Sequence, residues 1–197
     1  MISAIILAAG ESKRMGRPKM LLPWGEVTVL GRVIAAYQAA GIEDILVVTG
    51  GAHEQVAAIA EGAGVRSVFN EHFSRGEMLS SLQRGLDSVF PDPGLQAVLV
   101  GLGDQPQVQA ECVRLICDTF HQRASRLIVP SYRRRRGHPW LVERSLWKEI
   151  LEMTPAESPR DFLNRHAGEI DYVEVDMPGI LADLDTPQDY QNSRPNP

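Results

Sequence analysis

Residues Leu7–Leu22 read Leu-Ala-Ala-Gly-Glu-Ser-Lys-Arg-Met-Gly-Arg-Pro-Lys-Met-Leu-Leu and follow directly on an apolar run, Ile2–Leu7. One strand's worth of hydrophobic residues thus opens into a glycine-containing loop that carries Lys13, Arg14, Arg17 and Lys19. Such a loop suits a triphosphate. Gly10 and Gly16 have no Cβ, so the backbone can approach an anion and aim N–H groups at it. The cations would neutralise phosphate oxygens. Two of the three lysines in the chain lie here. The loop is not a P-loop, because Gly16 is followed by Arg-Pro-Lys rather than Lys-Ser. Nor is it a Rossmann fingerprint, since Gly10 and Gly16 stand six apart. On residue types alone, a phosphate cradle and a solvated basic loop both remain open.

A triphosphate site commonly also needs a divalent cation, and magnesium prefers one or two carboxylates together with phosphate oxygens and water. Asp104 follows Gly101-Leu102-Gly103, where the chain can turn tightly. It reads either as a metal ligand or as a turn aspartate bonded to its own backbone. Asp183 and Asp185 are two apart, so on an extended segment they face the same way. Asp185 can equally be the N-cap of a helix starting at Thr186-Pro187. Ser80 and Ser81 sit at an expected helix start, where they either face a nucleotide or cap the helix. Arg133–Arg136, followed by Gly137-His138-Pro139, is the most basic segment and suits an anionic ligand or a solvated hairpin tip.

These residues need elements to hold them. Strands are expected at Ile2–Leu7, Asp44–Thr49, Val65–Phe69, Ala97–Leu102, Leu127–Pro130, Trp140–Val142 and Ile170–Val175. Helices are expected at Val29–Ala40 (stopped by Gly41), His53–Glu61, Met78–Val89, Ala110–Arg123, Arg144–Met153, Pro159–Arg165 and Thr186–Asn192. Strands alternating with helices imply crossover units and a largely parallel sheet, an α/β sandwich of three layers. In open sheets of this kind the ligand lies beyond the carboxyl ends of the strands. The loop after Leu7, the Gly50-Gly51 turn, the Asn70–Gly76 loop and Gly103–Pro106 all fall on that side.

Composition narrows the class. With 197 residues, one domain over 1–192 with a frayed tail at 193–197 is expected. A net charge of −5 argues against a dedicated nucleic-acid binder. No apolar run is long enough for a membrane span, and no basic n-region precedes the first strand, so the cytoplasm is the expected compartment. Cys112 and Cys117 lack the spacing of a zinc or redox site and read as buried thiols.

Leu-Ala-Ala-Gly-x-Ser-x-Arg-Met-Gly-x-Pro-Lys at Leu7–Lys19 resembles the signature loop of nucleotidyltransferases with a glycosyltransferase-A-like, nucleotide-diphospho-sugar transferase-like fold. Within them the chain is most similar to the molybdenum cofactor cytidylyltransferases. Gly103-Asp104-Gln105-Pro106, Gly137-His138-Pro139 and Asp183-Leu184-Asp185-Thr186-Pro187 extend the resemblance to nearly the whole chain. It implies a mixed, mostly parallel sheet and transfer of CMP from CTP to the phosphate of molybdopterin, with Mg2+ or Mn2+ held by Asp104 and Asp185, Asp183 in reserve. It further implies that Lys19 reaches the α-phosphate and Arg14 the β and γ ones, with Ser12 adding a hydroxyl, while Lys13 and Arg17 fall at variable positions and stay solvated. Leu7, Ala8, Ala9, Gly10, Gly50, Gly51 and Ser81 would line the nucleotide, and Ala9 points to CTP. Asn70–Ser81 follows the family's Asn…Gly-Met-x-x-Ser stretch, with Glu77 inserted before Met78. Arg136 and His138 would face the acceptor, and a molybdoenzyme could receive the product. A guanylyl- or other cytidylyltransferase, and a non-catalytic nucleotide-binding accessory protein, remain alternatives.

Overall fold

A computed structural model describes residues 1–75 and 78–195. Gly76 and Glu77, where the inserted residue was expected, and Asn196 and Pro197 of the tail lie outside the described residues. The strands are β1 (Ile2–Ala8), β2 (Pro23–Trp24), β3 (Val27–Thr28), β4 (Asp44–Thr49), β5 (Arg66–Phe69), β6 (Ala97–Leu102), β7 (Leu127–Tyr132), β8 (Arg135–Arg136), β9 (Trp140–Glu143) and β10 (Ile170–Glu174). The helices are α1 (Val29–Ala39), α2 (His53–Gly62), α3 (Met78–Val89), α4 (Ala110–Arg123), α5 (Trp147–Glu152), α6 (Pro159–Arg165) and α7 (Pro187–Ser193). The main sheet runs β10-β7-β9-β6-β1-β4-β5, with β8 paired to β7.

β1 pairs in parallel with β4 and β6, β4 with β5, and β7 with β10. β9 runs antiparallel between β6 and β7, and β8 runs antiparallel to β7. The expected mixed, mostly parallel sheet is therefore present. Alternate residues of β1 feed opposite layers. Ala4, Ile6 and Ala8 meet α1, α2 and α4, while Ile5 and Leu7 meet α3, α5 and α6. Burying each such large side chain contributes roughly 1.5–3 kcal/mol, so the two layers clamp the strands whose ends carry the site.

Three local expectations change. The helix expected over Arg144–Met153 is a 3-10 turn, Arg144–Leu146, followed by α5. Glu143 caps that turn by accepting the Ser145 N–H, and the Trp147 indole donates to Val142 O. β7 runs on to Tyr132 because β8 folds back on it. The β2–β3 hairpin is too short to show a period. Cys112 is buried and Cys117 half-buried, and burial pushes their thiols up to about 12 and about 11, so both stay protonated. Among the described residues no helix is long and apolar enough to cross a membrane.

Candidate active site

The loops after β1, β5 and β6 and the segment before α7 border a cleft of about 530 Å3 at the carboxyl end of the sheet. Leu7, Ala9, Gly10, Ser12, Arg14, Lys19, Ser81, Asp104, Asp183 and Asp185 all line it. Residues far apart in sequence and expected to act together thus meet in one place.

The loop after β1 is built on Ser12, whose backbone is left-handed at φ 54°. Its carbonyl accepts the Met15 N–H at 2.9 Å, and its hydroxyl oxygen accepts the Lys19 N–H at 3.1 Å. Ser12 thereby folds the loop so that Lys19 returns over the strand end. Met15 drops into a small cluster with Leu22, Trp24, Val29, Leu184 and Tyr190. Gly16 does not aim its N–H at the cleft. It closes the turn at φ 67°, donating to Lys13 O. Lys13 borders the cleft but is exposed and pairs with Glu11, and the exposed Arg17 lies over the Tyr190 ring.

Lys19 Nζ pairs with Asp104 Oδ2 and lies 3.6 Å from Asp185 Oδ1. Arg14 reaches Asp185 Oδ2 at 3.1 Å. The Leu184 N–H donates to Asp104 O at 3.2 Å, tying the two acidic segments together. Asp185 is not the N-cap of α7. Thr186 takes that place in a reciprocal box with Asp189, so the Asp185 carboxylate is left to the cleft. Two carboxylates from separate elements therefore converge on a single ammonium, a donor set that suits magnesium or manganese when phosphate and water complete the shell. Among the described residues no group of three or more His, Cys, Asp or Glu forms a metal site by itself.

Asp183 stands beside this pair. Burial, with the neighbouring charges of Asp104 and Asp185, holds its carboxyl above the usual range, and a hydrogen bond from Gln105 Nε2 at 2.7 Å opposes the shift. Gln105 is 2% exposed and also donates to Ile180 O. Its holding role was missed in the sequence, although its place next to Asp104 was the available signal. Phe73 and Met78, an apolar wall of the cleft, carried no signal. Ser81 is held by buried Asn70, whose Nδ2 donates to Ser80 Oγ and Ser81 Oγ while its Oδ1 accepts the His72 N–H.

Five residues expected to touch ligand do not line the cleft. The Ala8 side chain faces the core. Gly50 and Gly51 support the β1 loop: the Gly51 N–H donates to Ala9 O, and a Cβ on Gly50 would lie 2.3 Å from that oxygen. Arg136 turns away, donating to the Tyr172 hydroxyl and to Asn164 Oδ1. His138 sits in a bulge. Between the pairs Ile128↔Leu141 and Ser131↔Arg136, β7 advances three residues and its partner five. The His138 N–H therefore leaves the ladder and donates to Ile180 O, the carbonyl that Gln105 also uses. This places His138 two hydrogen bonds from Gln105, and Gln105 is bonded to Asp183. Burial lowers the His138 imidazole to about 4, so it is neutral near pH 7.

The MobA-like NTP transferase domain family matches residues 4–170. The chain belongs to that family. As a member of it, the protein is a nucleotidyltransferase. Molybdenum cofactor cytidylyltransferase of Escherichia coli (strain K12) is 28% identical over 96% of this chain and 93% of its own length. Nicotine blue oxidoreductase of Paenarthrobacter nicotinovorans is also 28% identical, over 94% of this chain and 92% of its own. The solved structure of Rv0371c from Mycobacterium tuberculosis H37Rv superposes with a TM-score of 0.79 at 30% identity, covering 98% of this chain and 96% of that one. The same protein in complex with manganese gives a TM-score of 0.73 at 29% identity, covering 97% and 96%.

Proposed function

We propose that this nucleotidyltransferase moves CMP from CTP to the terminal phosphate of molybdopterin or a molybdenum-loaded form of it, releasing pyrophosphate. The observation that carries the reading is the alternation of Arg14, Asp185, Lys19 and Asp104 along one cleft wall at the strand ends. Binding of CTP would place Lys19 at the α-phosphate and Arg14 at the outer phosphates, with Ser12 and Gly10 beside them. A phosphate oxygen of the acceptor, already ionised near pH 7, attacks the α-phosphorus, and the bond to the β-phosphate oxygen breaks. Lys19 and Arg14 would neutralise charge on the transferring group and on the departing pyrophosphate. Asp104 and Asp185 would hold Mg2+ or Mn2+, which when bound offsets the negative charge of the triphosphate; the manganese complex of a relative supports this choice. No protein base is needed for such a nucleophile.

Ala9 in the cleft and the relationship to a cytidylyltransferase support CTP as donor. His138, linked through Ile180 O to the Gln105–Asp183 bond, supports an acceptor on that side, and cytoplasmic transfer of the product to a molybdoenzyme would follow. Labelled CTP, magnesium and molybdopterin, with and without molybdenum, should yield a CMP-modified cofactor and pyrophosphate. A preference for GTP over CTP in pyrophosphate release would overturn the cytidylyl assignment. Asp104→Ala should lower turnover at least about 100-fold while changing CTP binding far less. Retained CTP binding with no turnover for any acceptor, in the unmutated chain, would instead support an accessory role.

A further inference from the structure

The carboxylates proposed for the metal are the ones that already hold Lys19. Lys19 Nζ pairs with Asp104 and lies 3.6 Å from Asp185, while Arg14 takes the other oxygen of Asp185. The Lys19 and Asp104 side chains are each 13% exposed, so water and salt screen their attraction little. Arg14 is 71% exposed, and its pair is weaker for the same reason. A divalent cation and the Lys19 ammonium therefore compete for one set of oxygens. We infer that Lys19 is a stand-in cation that makes metal binding and triphosphate binding depend on each other. The inference rests on the nucleotidyl-transfer reading of this cleft.

Each ligand by itself meets a cost. A metal on Asp104 and Asp185 displaces an ammonium that is largely buried and leaves it beside a second cation. A triphosphate draws Lys19 and Arg14 onto its oxygens and leaves Asp104 and Asp185 facing an anion, with Asp183 on the same wall. With both ligands every charge has a partner: the cationic side chains lie on phosphate and the carboxylates on metal. Each ligand then raises affinity for the other, and by linkage the two factors are equal. A lysine that only clamps phosphate would leave the affinity for metal alone untouched.

Electron paramagnetic resonance of free Mn2+ measures that affinity on the full chain without CTP or acceptor. Lys19→Met should tighten Mn2+ binding by about tenfold and shrink the gain in Mn2+ affinity that inorganic triphosphate brings. Lys19→Arg, which keeps the cation, should stay near the wild-type values. Arg14→Ala removes a side chain that is 71% exposed and pairs with Asp185, and it should tighten Mn2+ binding about threefold; it carries the test if Lys19→Met does not fold. Unchanged or weaker Mn2+ binding in a folded Lys19→Met, or in Arg14→Ala where that variant carries the test, overturns the inference. These arms use neither nucleotide nor acceptor. A failure to observe CMP transfer would therefore strike the reaction and leave the competition standing, and the reverse also holds.

Discussion

Arg14, Lys19, Asp104 and Asp185 were legible as one candidate group because each lies in a motif, and the fold brings the four side chains together in one cleft. What the motifs did not contain was who pairs with whom. Asp185 could be read as a helix cap until Thr186 and Asp189 were seen to fill that role. Arg136 could be read as an acceptor contact until Tyr172 and Asn164 were seen to take its guanidinium. His138 kept its place near the site but acquired a protonation state from burial. That state has a consequence for stability. The folded chain holds the imidazole at about 4 against the ordinary 6.5 of a solvated histidine. Between these values the unfolded chain takes up a proton that the folded chain refuses. Stability is therefore full above the higher value and falls as pH drops toward the lower one. His138→Gln should remove this dependence. The loss of unfolding free energy between about pH 7 and about pH 4.5, measured by urea titration, should be smaller in the variant by on the order of 2 kcal/mol. Equal losses in the two proteins would mean that His138 is protonated in the fold.

At the scale of elements, hydrophobic pattern located the long strands and helices because both sheet faces are buried and the periods are clean. α3, β6, α4 and α6 fall on the expected boundaries. The two-residue strands were invisible, since a ladder that short has no period, and the register that makes the His138 bulge is a tertiary fact. Two predictions belong here. Gly50 lies against Ala9 O and Phe73 Cβ, and a methyl group there would stand 2.3 and 2.7 Å from them. Backbone cannot yield as a flexible side chain would, so Gly50→Ala should push the β1 loop outward. CTP affinity should fall at least about tenfold, by isothermal titration, in a protein that still folds. Unchanged affinity would mean that the loop position is not set by β4. The second concerns the β7–β8 turn, where Arg133 and Arg134 have φ of 49° and 63°. Asn-Gly suits such a turn, and left-handed backbone costs arginine roughly 1 kcal/mol per residue. Replacing the pair by Arg133→Asn and Arg134→Gly should raise the melting temperature by about 2–6 °C. A fall would mean that contacts of the arginines outweigh their backbone cost.

At the scale of the molecule, the parallel strands bring the β1, β4, β5 and β6 loops to one edge, and the C-terminal segment crosses that edge to complete it. The family match ends at residue 170, yet Asp183 and Asp185 lie beyond it and line the cleft. Hydrophobic contacts and a few hydrogen bonds keep them there. Leu184 and Tyr190 pack with Met15, Leu22, Trp24 and Val29, and the Tyr190 hydroxyl donates to Pro23 O at 2.6 Å. The cluster that anchors the tail therefore also anchors the cationic loop through Met15, so tail and loop should move together. Tyr190→Ala tests this coupling. Tyr190 is 5% exposed, and truncating a buried aromatic costs about 3–5 kcal/mol where the site cannot collapse. Lower stability alone would not distinguish the tail from any other core element. Phe162→Ala, in the helix layer on the opposite face of the sheet from this cluster, supplies the comparison. Both variants should melt lower, but only Tyr190→Ala should weaken Mn2+ binding in the folded protein, because only it frees Asp185 from its place opposite Asp104. If both variants keep wild-type Mn2+ affinity below their melting range, the tail merely covers the cleft and Asp185 is positioned by its pairing with Arg14 and Lys19.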